Sequence, residues 1–137
     1  MRLEVTRRAE LAVQAVALLS VDGARLKAPQ LAERLGSTPG FMAQIIGPLV
    51  KAGLVQSTPG PTGGYSLTPA AEQASVLDVI EAIDGPTETG RCVSRDVACG
   101  AATKCALHDA WTLARATLIC ALAATPATRA THHASAS

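Results

Sequence analysis

Apolar residues recur at helical spacing through the first third of the chain. Leu11, Ala15, Leu18 and Leu19 stand at i, i+4, i+7 and i+8, which places them on one face of a helix predicted over residues 5–20 and ended by Asp22-Gly23. A shorter helix is expected from Lys27 to Leu35, with Leu31 and Leu35 on one face and Gly36 as its stop. Thr38 is a good N-cap and Pro39 suits the first helical position. The third helix they open carries Phe41, Ile45, Ile46, Leu49 and Val50 as its apolar positions. Pro48 lies inside it. Because proline lacks an N–H and crowds the preceding turn, a kink is expected there.

The pattern then changes period. Leu54-Val55-Gln56-Ser57 and Tyr65-Ser66-Leu67 read as two strands, and the intervening Pro59-Gly60-Pro61-Thr62-Gly63-Gly64 can only be a turn. Ser75 and Asp78 form a capping box, with Asp in the usual Glu place, for a helix running to Ile83; Asp84-Gly85-Pro86 breaks it. Residues 86–104 form a long loop rich in Gly, Thr and Cys, of a length that is usually functional or disordered. The final helix, about 106–123, shows the stripe Leu107, Trp111, Ala114, Leu118 and Leu122. The chain beyond, an Ala, Thr, Ser and His stretch, reads as a disordered tail.

Helices joined by a tight turn and followed by a Gly-rich hairpin describe a winged helix-turn-helix. The expected fold is mainly α, with a two-stranded wing and a long C-terminal dimerisation helix. The expected division is a DNA-binding part at 1–84, a cysteine loop at 85–105, the dimerisation helix at 106–124 and the tail at 125–137. The second helix of such a pair enters the major groove by its N-terminal residues. Here those include Thr38, Phe41 and Gln44, and a Gln amide can pair bidentately with adenine. Equally, Gln44 could be an ordinary solvated residue. In the wing, Gly63 and Gly64 would let main-chain N–H groups approach phosphate.

Composition narrows the class. At 137 residues the chain suits one domain and is too short for a complete (β/α)₈ barrel. Hydrophobic residues make up 48% but aromatics only 2%, so the core must be built from Leu, Val, Ile and Ala, as packed helices are. No apolar run is long enough to cross a membrane, and the start lacks a signal-peptide h-region, so the expected compartment is the cytosol. The formal net charge of +1 says little. Its distribution says more, since residues 1–55 carry seven basic and four acidic groups, and 56–137 five and seven. A mildly basic first half could meet a polyanion, with Arg2, Arg7, Arg8 and Lys51 as candidate phosphate contacts. No nucleophile–base pair stands out, so the chain reads as a non-enzyme.

The cysteines are the sharper signal. Cys92, Cys99 and Cys105 are spaced C-x6-C-x5-C, His108 follows the last by three residues, and Cys120 stands apart on the final helix. Three thiols in a cytosolic loop argue for metal over disulfides. Structural zinc prefers pairs two to four residues apart. The wider spacings suit an iron–sulfur cluster better; the spacing does not distinguish its type, and 2Fe–2S is the expected cofactor with 4Fe–4S as the other type. Three free thiols are the plain alternative, and Cys120 reads as a small hydrophobe.

Taken together, several segments carry a family likeness. They are Met1-Arg2-Leu3, Leu31-Ala32-Glu33-Arg34, Leu49 to Val55, the wing Gly60-Pro61-Thr62-Gly63-Gly64-Tyr65, Val76 to Gly85, and Cys105-Ala106-Leu107-His108-Asp109-Ala110-Trp111. The chain resembles the iron–sulfur winged-helix repressors of the IscR/NsrR type from Met1 to about Ala124. The resemblance implies a homodimer with crossing C-terminal helices on double-stranded DNA, and a cluster near the dimer interface held by Cys92, Cys99 and Cys105. It implies a fourth ligand that is either His108 or a carboxylate at the start of the first helix of the partner subunit, which here is Glu10. Two departures stand out. Pro59 occupies the place where the family wing commonly has Arg, and Ala43 the place of an acidic residue some members carry. The expected function is a DNA-binding regulator, most simply a repressor, whose cluster senses nitric oxide, redox state or iron–sulfur supply. Two alternatives remain: a DNA-binding regulator with structural zinc, and a winged-helix protein-interaction module that does not bind DNA.

Overall fold

The computed structural model describes residues 1–23, 25–95, 97–99 and 104–130. Five helices and one hairpin make up its order: α1 (Arg7–Asp22), α2 (Ala28–Leu35), α3 (Pro39–Lys51), β1 (Val55–Thr58), β2 (Gly64–Leu67), α4 (Val76–Asp84) and α5 (His108–Ala123). Single 3-10 turns at Pro69–Gln73 and Ala127–Arg129 complete it.

α1 is the central element. Thr6 caps it by accepting from the Ala9 N–H at 3.1 Å, and Gly23, at φ 58°, ends it. Ala9, Leu11, Ala12, Val13, Ala15, Val16, Ala17 and Leu19 are all buried, a wider belt than the single predicted face. The reason is that α1 is surrounded: α2, α3, α4, β2 and the C-terminal 3-10 turn all pack on it. The small alanines let these neighbours come close. Leu31 from α2, Met42, Ile45, Ile46 and Leu49 from α3, Val55 from β1 and Val76 and Val79 from α4 add large side chains to the core.

α3 begins as expected, with the Thr38 hydroxyl accepting from the Phe41 N–H at 3.2 Å. It continues through Pro48 to Lys51 as one helix. Pro48 falls in its last turn, where the missing donor deprives only the Gln44 carbonyl, so the helix need not break.

The wing is a true hairpin, pairing Val55 with Leu67, Gln56 with Ser66, Ser57 with Tyr65 and Thr58 with Gly64. Leu26 forms an isolated bridge to β2 through two backbone bonds to Tyr65, at 3.0 and 2.8 Å. α4 opens on the predicted box: Ser75 Oγ accepts from Asp78 N–H at 3.1 Å, and Asp78 Oδ2 from Ser75 N–H at 2.8 Å.

The stripe Leu107, Trp111, Ala114, Leu118 and Leu122 is divided within the protomer. His108, Trp111, Arg115, Ile119 and Leu122 form the sheltered side of α5, while Leu107, Ala114 and Leu118 are exposed. The reading of 125–137 as disordered fails for its first part. Val76 N–H donates to the Thr125 carbonyl at 2.8 Å, Ala127 N–H to the Ala74 carbonyl at 2.9 Å, and Ala127 is buried in the main core. Residues 131–137 of that call lie outside the described residues.

Candidate metal centre and nucleic-acid interface

The cysteine loop leaves α4 at Gly85 and returns at α5. Between them the backbone folds on itself: Arg91 bridges Ala98, Cys92 N–H donates to the Val97 carbonyl at 2.8 Å, and Cys99 N–H to the Gly90 carbonyl at 3.0 Å. This small knot brings two cysteines distant in sequence to the same place. Cys105 arrives from the other side, three residues before α5, where its carbonyl accepts from His108 N–H at 3.1 Å. The sulfurs of Cys92, Cys99 and Cys105 lie within 4.8 Å of one another, all three residues half-buried. His108 Nδ1 stands 3.1 Å from Cys99 Sγ, although it is not part of that mutual set. A cavity of about 120 Å³ opens beside them, lined also by Glu88, Trp111 and Arg115.

The thiols differ electrostatically. The Ser94 hydroxyl and backbone N–H point at Cys92 and bring its thiol down to about 6, helped by Cys105 and Arg95. Cys99 goes the other way. A Cys105 backbone hydrogen bond favours its thiolate, yet loss of water and the adjoining Cys105 and Cys92 sulfurs together push the thiol up.

Three convergent thiols, a neighbouring imidazole and partial burial fit a soft metal centre: thiolates select zinc or iron–sulfur clusters. The spacing bears on which. Zinc–sulfur bonds of about 2.3 Å give tetrahedral sulfur edges of about 3.8 Å, close to what the triad offers. A cluster has a broader core and asks the three sulfurs to spread.

The other expected residues fall in different places. Cys120 is exposed, twelve residues past His108 and so about 18 Å along the helix axis. Within the protomer Glu10 lies outside the triad, bound by Arg7 at 3.0 Å and Gln14 at 3.2 Å. At the start of α3, Thr38 and Gln44 are exposed, whereas Phe41 is half-buried and packs on the core. Arg2, Arg7, Arg8 and Lys51 are all exposed. The wing glycines are required by the chain itself. A Cβ on Gly63 would sit 1.9 Å from the Thr58 carbonyl oxygen, and one on Gly64, at φ 140°, 2.9 Å from that of Leu26.

Sequence reading passed over Glu88, Arg115 and Lys27. Lys27 Nζ donates to the Pro61 carbonyl at 2.9 Å and braces the wing tip. Arg115 lies seven residues after His108, on the same helical face, so the 3.6-residue period could have pointed to it.

The sequence profile described as Rrf2, iron-dependent transcriptional regulator, matches residues 5–126. The chain belongs to the Rrf2 family. Rrf2 members are transcriptional regulators and not enzymes. The HTH-type transcriptional regulator IscR of Vibrio atlanticus is 32% identical over 111 residues, covering 80% of this chain and 64% of that protein. IscR of Pectobacterium carotovorum is 34% identical over 112 residues, covering 80% and 67%. The chain thus spans about two thirds of the length of these Rrf2 relatives. Among solved structures, CymR, the global cysteine regulator of B. subtilis, superposes with a TM-score of 0.76 at 20% identity over 92% of this chain and 94% of that one. T. potens IscR gives 0.70 at 24% identity over 91% and 83%. At those identities the likeness establishes the winged, mainly helical fold. No helix among the described residues is long and apolar enough to cross a membrane.

Proposed function

We propose that this Rrf2 chain is a cytosolic, homodimeric, DNA-binding transcription regulator, acting as a repressor. In this reading Cys92, Cys99 and Cys105 hold an iron–sulfur cluster, of the 2Fe–2S type in preference to 4Fe–4S. The observation that carries a metal centre is the convergence of those three sulfurs within 4.8 Å beside the start of α5, and the wide C-x6-C-x5-C sequence spacing favours a cluster there. His108 is the proposed fourth ligand because its Nδ1 already touches Cys99; Glu10 of the partner subunit is the alternative. When bound, the cluster supplies iron that reacts with nitric oxide or oxygen. The chain's part is to pass the state of the triad onward. The thiols join the knot at 90–99 to the start of α5, so a change in their arrangement moves α5. A shift of α5 alters the separation of the two α3 helices across the dimer, and half-sites about 34–36 Å apart tolerate little mismatch.

On DNA, Thr38 and Gln44 face the bases and Arg2, Arg7, Arg8 and Lys51 the phosphates, with Phe41 holding α3 to the core behind them. Gly63 and Gly64 shape the wing and bring its backbone near phosphate. Structural zinc on the same thiols is the second reading, favoured by the sulfur spacing described above.

Anaerobic purification with iron, sulfide and zinc analysis tests the centre, and gel shifts on the protein's own promoter test the output. The expected result is a coloured protein containing iron and sulfide. Cys92→Ala, Cys99→Ala and Cys105→Ala should each bleach it, and Cys120→Ala should not. Gln44→Ala should lose about 1–3 kcal/mol at one base position. A colourless zinc protein would establish the second reading. Promoter binding that is identical with the centre loaded, oxidised or removed would end the sensing proposal, and no binding to DNA at all would leave a protein-interaction module.

A further inference from the structure

We propose that Glu88 and Arg115 are positioning residues that strap the cysteine loop to α5 and align the three thiols before any metal arrives. The proposal rests on reading Cys92, Cys99 and Cys105 as ligands.

The contacts form a closed ring. Arg115 Nη1 donates to Glu88 Oε2 at 3.1 Å, and Glu88 Oε1 accepts from the Gly90 N–H at 2.9 Å. The Gly90 carbonyl accepts from the Cys99 N–H at 3.0 Å, and Cys99 Sγ meets His108 Nδ1 at 3.1 Å. His108 and Arg115 belong to one helix, about 10.5 Å apart along its axis. Cys99 is therefore fixed to α5 at two points two turns apart, once through its sulfur and once through its backbone.

Exposed ion pairs hold little by themselves; here the Glu88 side chain is 57% exposed, but that of Arg115 is only 19% exposed and lines the same cavity as the thiols. The Glu88 carboxylate uses both oxygens, one on the loop and one on the helix. The Gly90 N–H and the Arg115 guanidinium hold its carboxyl below the usual range, so it stays ionised. Gly90, at φ 71°, takes the left-handed conformation where the loop turns on after the N–H that donates to Glu88. A guanidinium beside three thiolates also offsets the negative charge that a loaded site accumulates.

Co²⁺ titrated into the reduced, full-length chain tests the strap, since cobalt held by thiolates has its own visible bands. Arg115→Ala and Glu88→Gln should each weaken Co²⁺ binding by about 10–100-fold, as outer-shell changes do. Arg115→Lys should lie between them and the wild type. The double variant Glu88→Gln with Arg115→Ala should weaken binding no more than the worse single variant, because both residues act through one ring. Single variants with unchanged affinity, or losses that add in full in the double variant, would overturn the proposal. A wild-type chain with no thiolate–cobalt bands would overturn the ligand reading instead. Hydrogen exchange on the metal-free chain then decides the strap alone. Arg115→Ala should speed exchange at the Gly90 and Cys99 amides and leave α1–α4 unchanged; equal exchange at those two amides would remove the strap.

Discussion

Cys92 and Cys99 have the same side chain and opposite shifts: the Ser94 donors bring Cys92 down, whereas at Cys99 a Cys105 backbone donor is outweighed by loss of water and by the Cys105 and Cys92 sulfurs. In the metal-free, reduced protein, Cys92 should therefore be the first of the three loop thiols alkylated at pH 7. Its rate should climb as pH rises and reach half its plateau at about 6, where the thiolate becomes the major form. Ser94→Ala removes the leading donor, so the half-point should move up and labelling at pH 6.5 should slow. Iodoacetamide labelling with peptide mass mapping checks this, and equal labelling of the three loop thiols would contradict it. The sequence spacing of Cys92, Cys99 and Cys105 was enough to expect a shared site. It could not show which thiol is activated, because that depends on a hydroxyl two residues away turning inward. Nor could it reveal Glu88, whose partner Arg115 lies 27 residues further on and meets it only in the folded chain.

The wing and α5 show how elements succeed or fail to announce themselves. The hairpin was legible because two short apolar runs flank a Pro- and Gly-rich hexapeptide, and few backbones satisfy that. The purpose of its glycines was not legible. Gly64 is required by contact with Leu26, a residue 38 positions earlier whose approach no local pattern encodes. Gly64→Ala should cost about 1–3 kcal/mol for a strained backbone, before any loss at the Leu26 bridge. Gly40→Ala, in α3 with open space around it, should instead gain up to about 1 kcal/mol. Urea melts of both variants test the pair of signs. For α5 the stripe merged two faces only about 40–60° apart. Trp111 and Leu122 turn toward the protomer and Leu107, Ala114 and Leu118 away from it. Periodicity reports an apolar residue, not which body it will meet.

At the scale of the molecule, α5 has no fully buried residue, and Leu113 and Leu118 are 71% and 49% exposed. An apolar helix so uncovered calls for a second surface, which in the proposed homodimer is another copy of the chain. Sedimentation at micromolar concentration should show a dimer, and Leu118→Glu, which places a charge on the outward flank, should give monomers. A wild-type monomer would remove the basis for transmitting α5 movement to paired recognition helices. The return of the chain after α5 has another outcome, which concerns synthesis. Ala127 fills a place in the core between α1 and the Ser75 cap of α4, so the N-terminal body lacks a piece until residue 127 has been made. A ribosome delivers the chain in order. Cys92, Cys99 and Cys105 thus emerge while that core is still open, and metal can be loaded, or the thiols oxidised, before the fold that surrounds them has closed.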